Sequence, residues 1–118
     1  MTRYASGRRQ EWRVRKMLES AGAYIVVRSA GSKGAADLIA LFDHDTFAIQ
    51  VKNHKPSQKD HDAVTEASRH TSARWALVHL NGSEMRVWSY KNGRPHKVSV
   101  PGLGAGAVGG GERAGGEL

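Results

Sequence analysis

Two carboxylates, one amide and one lysine stand in this chain where their neighbours are apolar. Asp37 opens the run LIALF, and a carboxylate at the mouth of a buried strand is costly unless something compensates it. On the segment 46–52 (TFAIQVK), period-two alternation puts Phe47, Ile49 and Val51 on one face and Ala48, Gln50 and Lys52 on the other, an expected core face and polar face. Glu11 lies three and seven residues before Val14 and Leu18, so at helical spacing it points along the apolar stripe of its own segment. Brought together, Glu11, Asp37 and the Gln50 amide give oxygen ligands for a hard cation such as Mg²⁺, beside the Lys52 amine. Phosphodiester hydrolysis needs that combination: a metal to stabilise charge on phosphorus and acidify a water, and a cation to orient it.

The elements that must position these groups follow from pattern. Ser6 reads as an N-cap, Val14, Met17, Leu18 and Ala21 recur at helical spacing, and Gly22 supplies a stop, giving a helix over roughly 7–21. A short β-branched strand follows at 24–28, then a polar loop at 29–34 (SAGSKG). The runs 37–42 and 46–52 flank Asp43-His44-Asp45 and read as a β-hairpin. Asp37 shares a face with Gln50 and Lys52 only if paired positions sum to an odd number, which demands a connection of even length. Ser57 and Asp60 form a capping-box pattern opening a second helix to about 71, with a thin stripe of Ala63, Val64 and Ala67. A second hairpin, 74–80 and 84–90, turns at Asn81-Gly82-Ser83, exits at Lys91-Asn92-Gly93 and leads to a possible short strand at 97–100. The expected order is α-β-β-β-α-β-β: an α/β fold with a mixed central sheet flanked by helices.

Bulk composition narrows the class. The chain has 118 residues, and eight of its fourteen glycines fall in 101–118, so the expectation is one domain at 1–100 and a Gly/Ala-rich, disordered tail at 101–118. Lys and Arg number 18 against 11 Asp and Glu, a net charge of +7 that attracts polyanions. Nucleic acid is the expected partner, since no helix pairs a basic face with an exposed aromatic face suited to a membrane surface. No apolar run is long enough to span a bilayer and the N-terminus lacks a secretory pattern, so a cytoplasmic location is expected. The absence of cysteine excludes disulfides, thiol catalysis and thiolate zinc sites. The six histidines show no metal-ligand spacing and read as structural or surface residues, His54 beside Lys52 being the one of interest. No GxSxG, P-loop or dinucleotide fingerprint is present, so no nucleotide cofactor is expected. Trp75, Trp88 and Tyr90 read as core or interface aromatics.

Together, Gly7-Arg8-Arg9-x-Glu11, Leu18-Glu19-x-x-Gly22-x-Tyr24, Val27 to Gly34 followed by x-x-Asp37-Leu38-Ile39-Ala40, and Ile49-Gln50-Val51-Lys52 resemble the archaeal-type Holliday junction resolvases. These are PD-(D/E)XK nucleases, found also in bacteriophages, with a restriction-endonuclease-like core. The resemblance covers about residues 3–55, the remainder agreeing only in element order. It implies a homodimeric, Mg²⁺-dependent endonuclease, with Mn²⁺ as substitute, that places paired nicks across a four-way DNA junction. It further implies Glu11, Asp37, Gln50 and Lys52 as the catalytic set, and Asp37, Gln50, Glu11 and the Val51 carbonyl as the metal shell. Two positions depart from the pattern. Ala36 stands at the proline, which does no chemistry, and Gln50 stands at the second acid, where a neutral amide binds a cation more weakly.

The neighbouring basic and small residues complete the expectation. Arg3, Arg8 and Arg9 sit beside Glu11, and Arg28, Ser29, Ser32 and Lys33 sit in and before the glycine loop leading to Asp37, where backbone and side chains suit close approach to phosphate. Lys55 follows the Lys52 strand and is expected to touch DNA as well. Two alternatives stay open: a related nuclease acting on other DNA, or a non-catalytic binder of branched DNA in which Gln50 has weakened the metal site.

Overall fold

The computed structural model describes residues 3–29, 36–97 and 100–103, with residues 3–7 as backbone only. Along the chain run α1 (Arg3–Ser20), β1 (Ile25–Arg28), β2 (Leu38–Leu41), β3 (Thr46–Lys52), α2 (Gln58–His70), β4 (Arg74–Asn81), β5 (Glu84–Lys91) and β6 (Arg94–His96). The strands form one six-stranded sheet in sequential order, antiparallel except for β3 and β4, which are parallel. A parallel pair needs a crossover, and α2 provides it. The result is the expected α/β fold with a mixed sheet between helices.

Alternation along the strands explains the two layers. Val26, Leu38, Ala40, Phe47, Ile49, Ala76, Val78 and Val87 face α1, where Val14 and Leu18 meet them with no exposed surface. Ala48, Trp75, Leu77, Trp88 and Tyr90 face α2, which contributes Val64. The expectation of one core face and one polar face on β3 is therefore corrected: its first half is buried on both sides, because a central strand of a sheet covered by helices on both faces has no wet face. Polar character begins only at Gln50. The α2 stripe is corrected too, since Ala63 is exposed and His61, Val64 and Ser68 are the buried residues. His61 is tolerated there because its Nδ1 lies 2.7 Å from the Tyr90 hydroxyl.

Helix ends follow local chemistry with one exception. α1 begins at Arg3, so Ser6 lies within the helix and is not its N-cap. At the other end Gly22 adopts φ 106°, the Ala23 N–H donates to Leu18 O and the Gly22 N–H to Glu19 O, a Schellman closure that only glycine enters without strain. α2 opens on a complete capping box of Ser57 and Asp60.

The possible strand at 97–100 falls partly outside the described residues, 98 and 99 being among those not described, and a strand not expected from the sequence precedes it. Asn92 and Gly93 both take positive φ, the signature of a two-residue hairpin turn, so the chain reverses at once and β6 pairs with β5 through Lys91–Arg94. Val100 and Leu103 then return to the core under α1, both fully buried, so the packed chain runs past the boundary drawn at residue 100. Residues 104–118 lie outside the described residues.

Candidate active site

The β2–β3 hairpin meets the parity condition. Leu38 pairs with Ile49 and Leu41 with Thr46, joined by the four residues 42–45 and narrowed by the Phe42 N–H donating to Asp45 O. Asp37 stands one residue before this ladder and is tied to β3 twice: its N–H donates to Ile49 O at 2.7 Å, and its Oδ2 accepts from the Val51 N–H at 2.8 Å. The carboxylate is thus fixed against the backbone between Gln50 and Lys52.

The four proposed catalytic residues meet in one cleft. A cavity of about 630 Å³ is lined by Gln10 and Glu11 from α1, Asp37 at the entry to β2, and Gln50, Val51, Lys52, Asn53 and His54 from the end of β3 and beyond. Glu11 comes from the α1 layer, and it is held by Arg28 of β1, whose Nε donates to Glu11 Oε1 at 2.8 Å. Lys52 Nζ lies 3.3 Å from Asp60 Oδ1, so the capping residue of α2 also holds the lysine. Burial, and then the nearby Glu11 charge, raise the Asp37 carboxyl above its ordinary value; the Val51 N–H, Lys52 and Arg28 act against them.

This donor set fits a hard divalent cation. Among the described residues no cluster gathers three or more His, Cys, Asp or Glu side chains, yet Mg²⁺ characteristically takes one or two carboxylates and keeps its waters. Two carboxylates, of which Asp37 is raised by burial and by the Glu11 charge, an amide and a backbone carbonyl line the cleft, and the Gln10 Oε1 acceptor beside them is buried without a partner among the described residues. A cation would relieve the repulsion and supply charge to those oxygens.

The other residues expected at the site are distributed as follows. Arg8 and Arg9 are exposed on α1, and Arg8 lines a small pocket of about 120 Å³ with Glu11, Trp12, Arg15, Arg28 and Leu38. The Ser29 N–H donates to Asp37 O at 2.8 Å, closing the mouth of the loop that leads to the aspartate. Lys55 is exposed and faces a neighbouring pocket instead of the cleft. The Arg3 side chain, Ser32 and Lys33 lie outside the described residues. Sequence reasoning missed Gln10 and Asp60. Gln10 carried no signal beyond adjacency to Glu11, and Asp60 was legible only as a cap.

With this geometry established, comparison with known proteins adds the fold. The chain superposes on the solved structure of Hjc from Archaeoglobus fulgidus with a TM-score of 0.55 and 20% identity, over 74% of this chain and 73% of that one. That protein is a Holliday junction resolvase from an archaeal hyperthermophile. The two share a fold. No protein-family model matches the sequence, and no curated protein matches it either.

Proposed function

We propose that this chain is a metal-dependent endonuclease that cuts branched DNA, working as a homodimer on four-way junctions. The observation that carries the reading is the convergence of Glu11, Asp37, Gln50 and Lys52 in one cleft at the end of a resolvase-type sheet. Glu11, Asp37, Gln50 Oε1 and the Val51 carbonyl would hold Mg²⁺ or Mn²⁺, which supplies Lewis acidity at phosphorus and a water of lowered pKa. The chain's own groups do the rest. Asp37, fixed by the Val51 N–H, would set where the scissile phosphate can lie, and Lys52, which lines the same cleft, would orient the attacking water and offset charge on the phosphoryl oxygens. The attacking water gives up a proton to solvent as its oxygen bonds to phosphorus, the ester bond to the leaving sugar oxygen breaks, and that oxygen takes a proton from solvent.

A dimer suits a two-fold substrate, because one protomer offers one cleft and a four-way junction presents two equivalent strands. Cleavage of a labelled four-way junction beside a linear duplex of the same sequence, with Mg²⁺, Mn²⁺ or chelator, tests the reading. Paired nicks confined to the junction and lost with chelator are expected; tight junction binding without cleavage under any metal would overturn it.

One observation favours a second reading. Gln50 removes a charge from the cleft and Glu11 is already engaged by Arg28, which suits a binder of branched DNA with a weakened metal site. Cleavage restored by Gln50→Glu would select that reading and name its cause.

A further inference from the structure

A second pocket lies next to the cleft on the face of the sheet that α2 covers. It encloses about 280 Å³ between the ends of β4 and β5 and the segment after β3, and is lined by Lys55, His79, Asn81, Glu84, Arg86 and Trp88. Register fixes its relation to the cleft: Lys52 pairs with His79, and His79 with Arg86, so these three side chains stand in one row across β3, β4 and β5. Directly paired residues share a face, and each step is about 4.8 Å, so Arg86 is rooted about 10 Å from the catalytic lysine's backbone.

Charge in this pocket is unbalanced. Arg28, Lys52 and Arg74 each have a carboxylate partner. Lys55 and Arg86 make no ion pair or hydrogen bond with their side chains to any described residue. Three basic side chains therefore face a single carboxylate, Glu84, two residues from Arg86 on the same strand face. At His79 burial first, and then the His54 and Arg86 charges, lower the pKa, while Glu84 works in the opposite sense. An anion entering here would meet two unpaired cations and an imidazole.

We propose that the pocket of Lys55, His79 and Arg86 is a phosphate subsite that holds a neighbouring backbone phosphate of the DNA strand whose scissile phosphate lies in the cleft. It rests on the nuclease reading for its strand, but on the row of paired residues for its place. Its cations position the strand and read no base, so the subsite acts alike on every sequence.

The experiment is binding of a fluorescent four-way junction in chelator across a salt series, for the full chain and for Arg86→Ala, Arg86→Glu and Glu84→Gln. Junctions carrying single neutral methylphosphonates near the branch point are titrated in parallel. Arg86 and Glu84 are exposed, and thermal melts establish that each variant is folded. Arg86→Ala is expected to weaken binding about tenfold and lower the salt slope by about 1. The effect of one methylphosphonate beside the scissile position should vanish in that variant, and Glu84→Gln should tighten binding. Wild-type binding with an unchanged slope and unchanged methylphosphonate profile in both Arg86 variants would overturn the subsite and leave the nuclease reading standing. A wild-type chain that does not bind the junction would overturn both.

Discussion

At the scale of single residues, the activity proposed for the cleft and the stability of the fold make opposite demands on Asp37. Asp37 sits where burial and Glu11 raise its carboxyl. A carboxylate whose folded value is raised contributes stability that is present below its ordinary value and lost as pH rises through the folded value. At neutral pH the ionised Asp37 is thus a liability to the metal-free fold. Asp37→Asn, whose amide oxygen can still accept the Val51 N–H, is expected to abolish cleavage while raising the melting temperature of the metal-free protein, as scanning calorimetry would measure. A melting temperature that falls would mean that the carboxylate stabilises the fold. Gln50→Glu moves the other way. A third acid in the cleft should tighten Mg²⁺ binding about tenfold or more by calorimetric titration and lower the stability of the metal-free form. The residues of this site were legible in the sequence because polar groups interrupted apolar runs at Asp37 and Gln50. Their supports were not: Arg28 meets Glu11 across 17 residues, and no pattern in the chain encodes that distance.

Among the elements, α2 links folding to the site through its first turn. Asp60 closes the capping box with Ser57 and pairs with Lys52. Burial alone would raise its carboxyl, but the Ser57 N–H and the Lys52 charge outweigh that and hold it below its ordinary value of 3.8. The sign of the linkage is opposite to that at Asp37: stability is present above the ordinary value and lost as pH falls through the lowered one. Ser57→Ala should cost about 1 kcal/mol in urea unfolding at neutral pH. Asp60→Asn should cost a similar amount there and lose part of the acid-side decline. If Asp60→Asn melts as the parent does, the box is not holding the helix. The helices and strands themselves were legible from periodicity, most clearly β3 and the capped α2. That β6 was missed has a local cause: Lys91-Asn92-Gly93 reads as an exit from a hairpin, but two positive-φ residues in succession make it a second hairpin turn. Ser6 failed as a cap because capping preference is weak beside a helix whose face is already anchored by Val14 and Leu18.

For the whole molecule, the sheet needs its C-terminal return. Composition suggested that nothing past residue 100 packs, yet Leu103 is fully buried beside Val100, Val14 and Leu18. A glycine-rich segment hides such an anchor because one leucine carries no periodicity. Gly102 makes the fit specific. It has φ 85°, and a Cβ there would lie 2.6 Å from the Met17 carbonyl oxygen and 2.9 Å from the Ala21 Cβ, so the chain crosses α1 in close contact with its backbone. Any side chain at 102 must push the return away from the helix, and it would also strain a left-handed backbone. Leu103→Ala is therefore expected to destabilise the protein by about 3 kcal/mol, the cost of a large-to-small change in a closed core. Gly102→Ala should approach the same loss, because lifting the segment unseats Leu103 as well. Urea unfolding with both variants and their combination decides the matter. If the two act through one anchor, the double variant loses little more than the worse single one. Additive losses would mean that Gly102 and Leu103 hold separate parts of the fold. Since α1 carries Glu11 about two turns before the Met17 and Ala21 that receive this return, both variants should also weaken the metal binding proposed for the cleft.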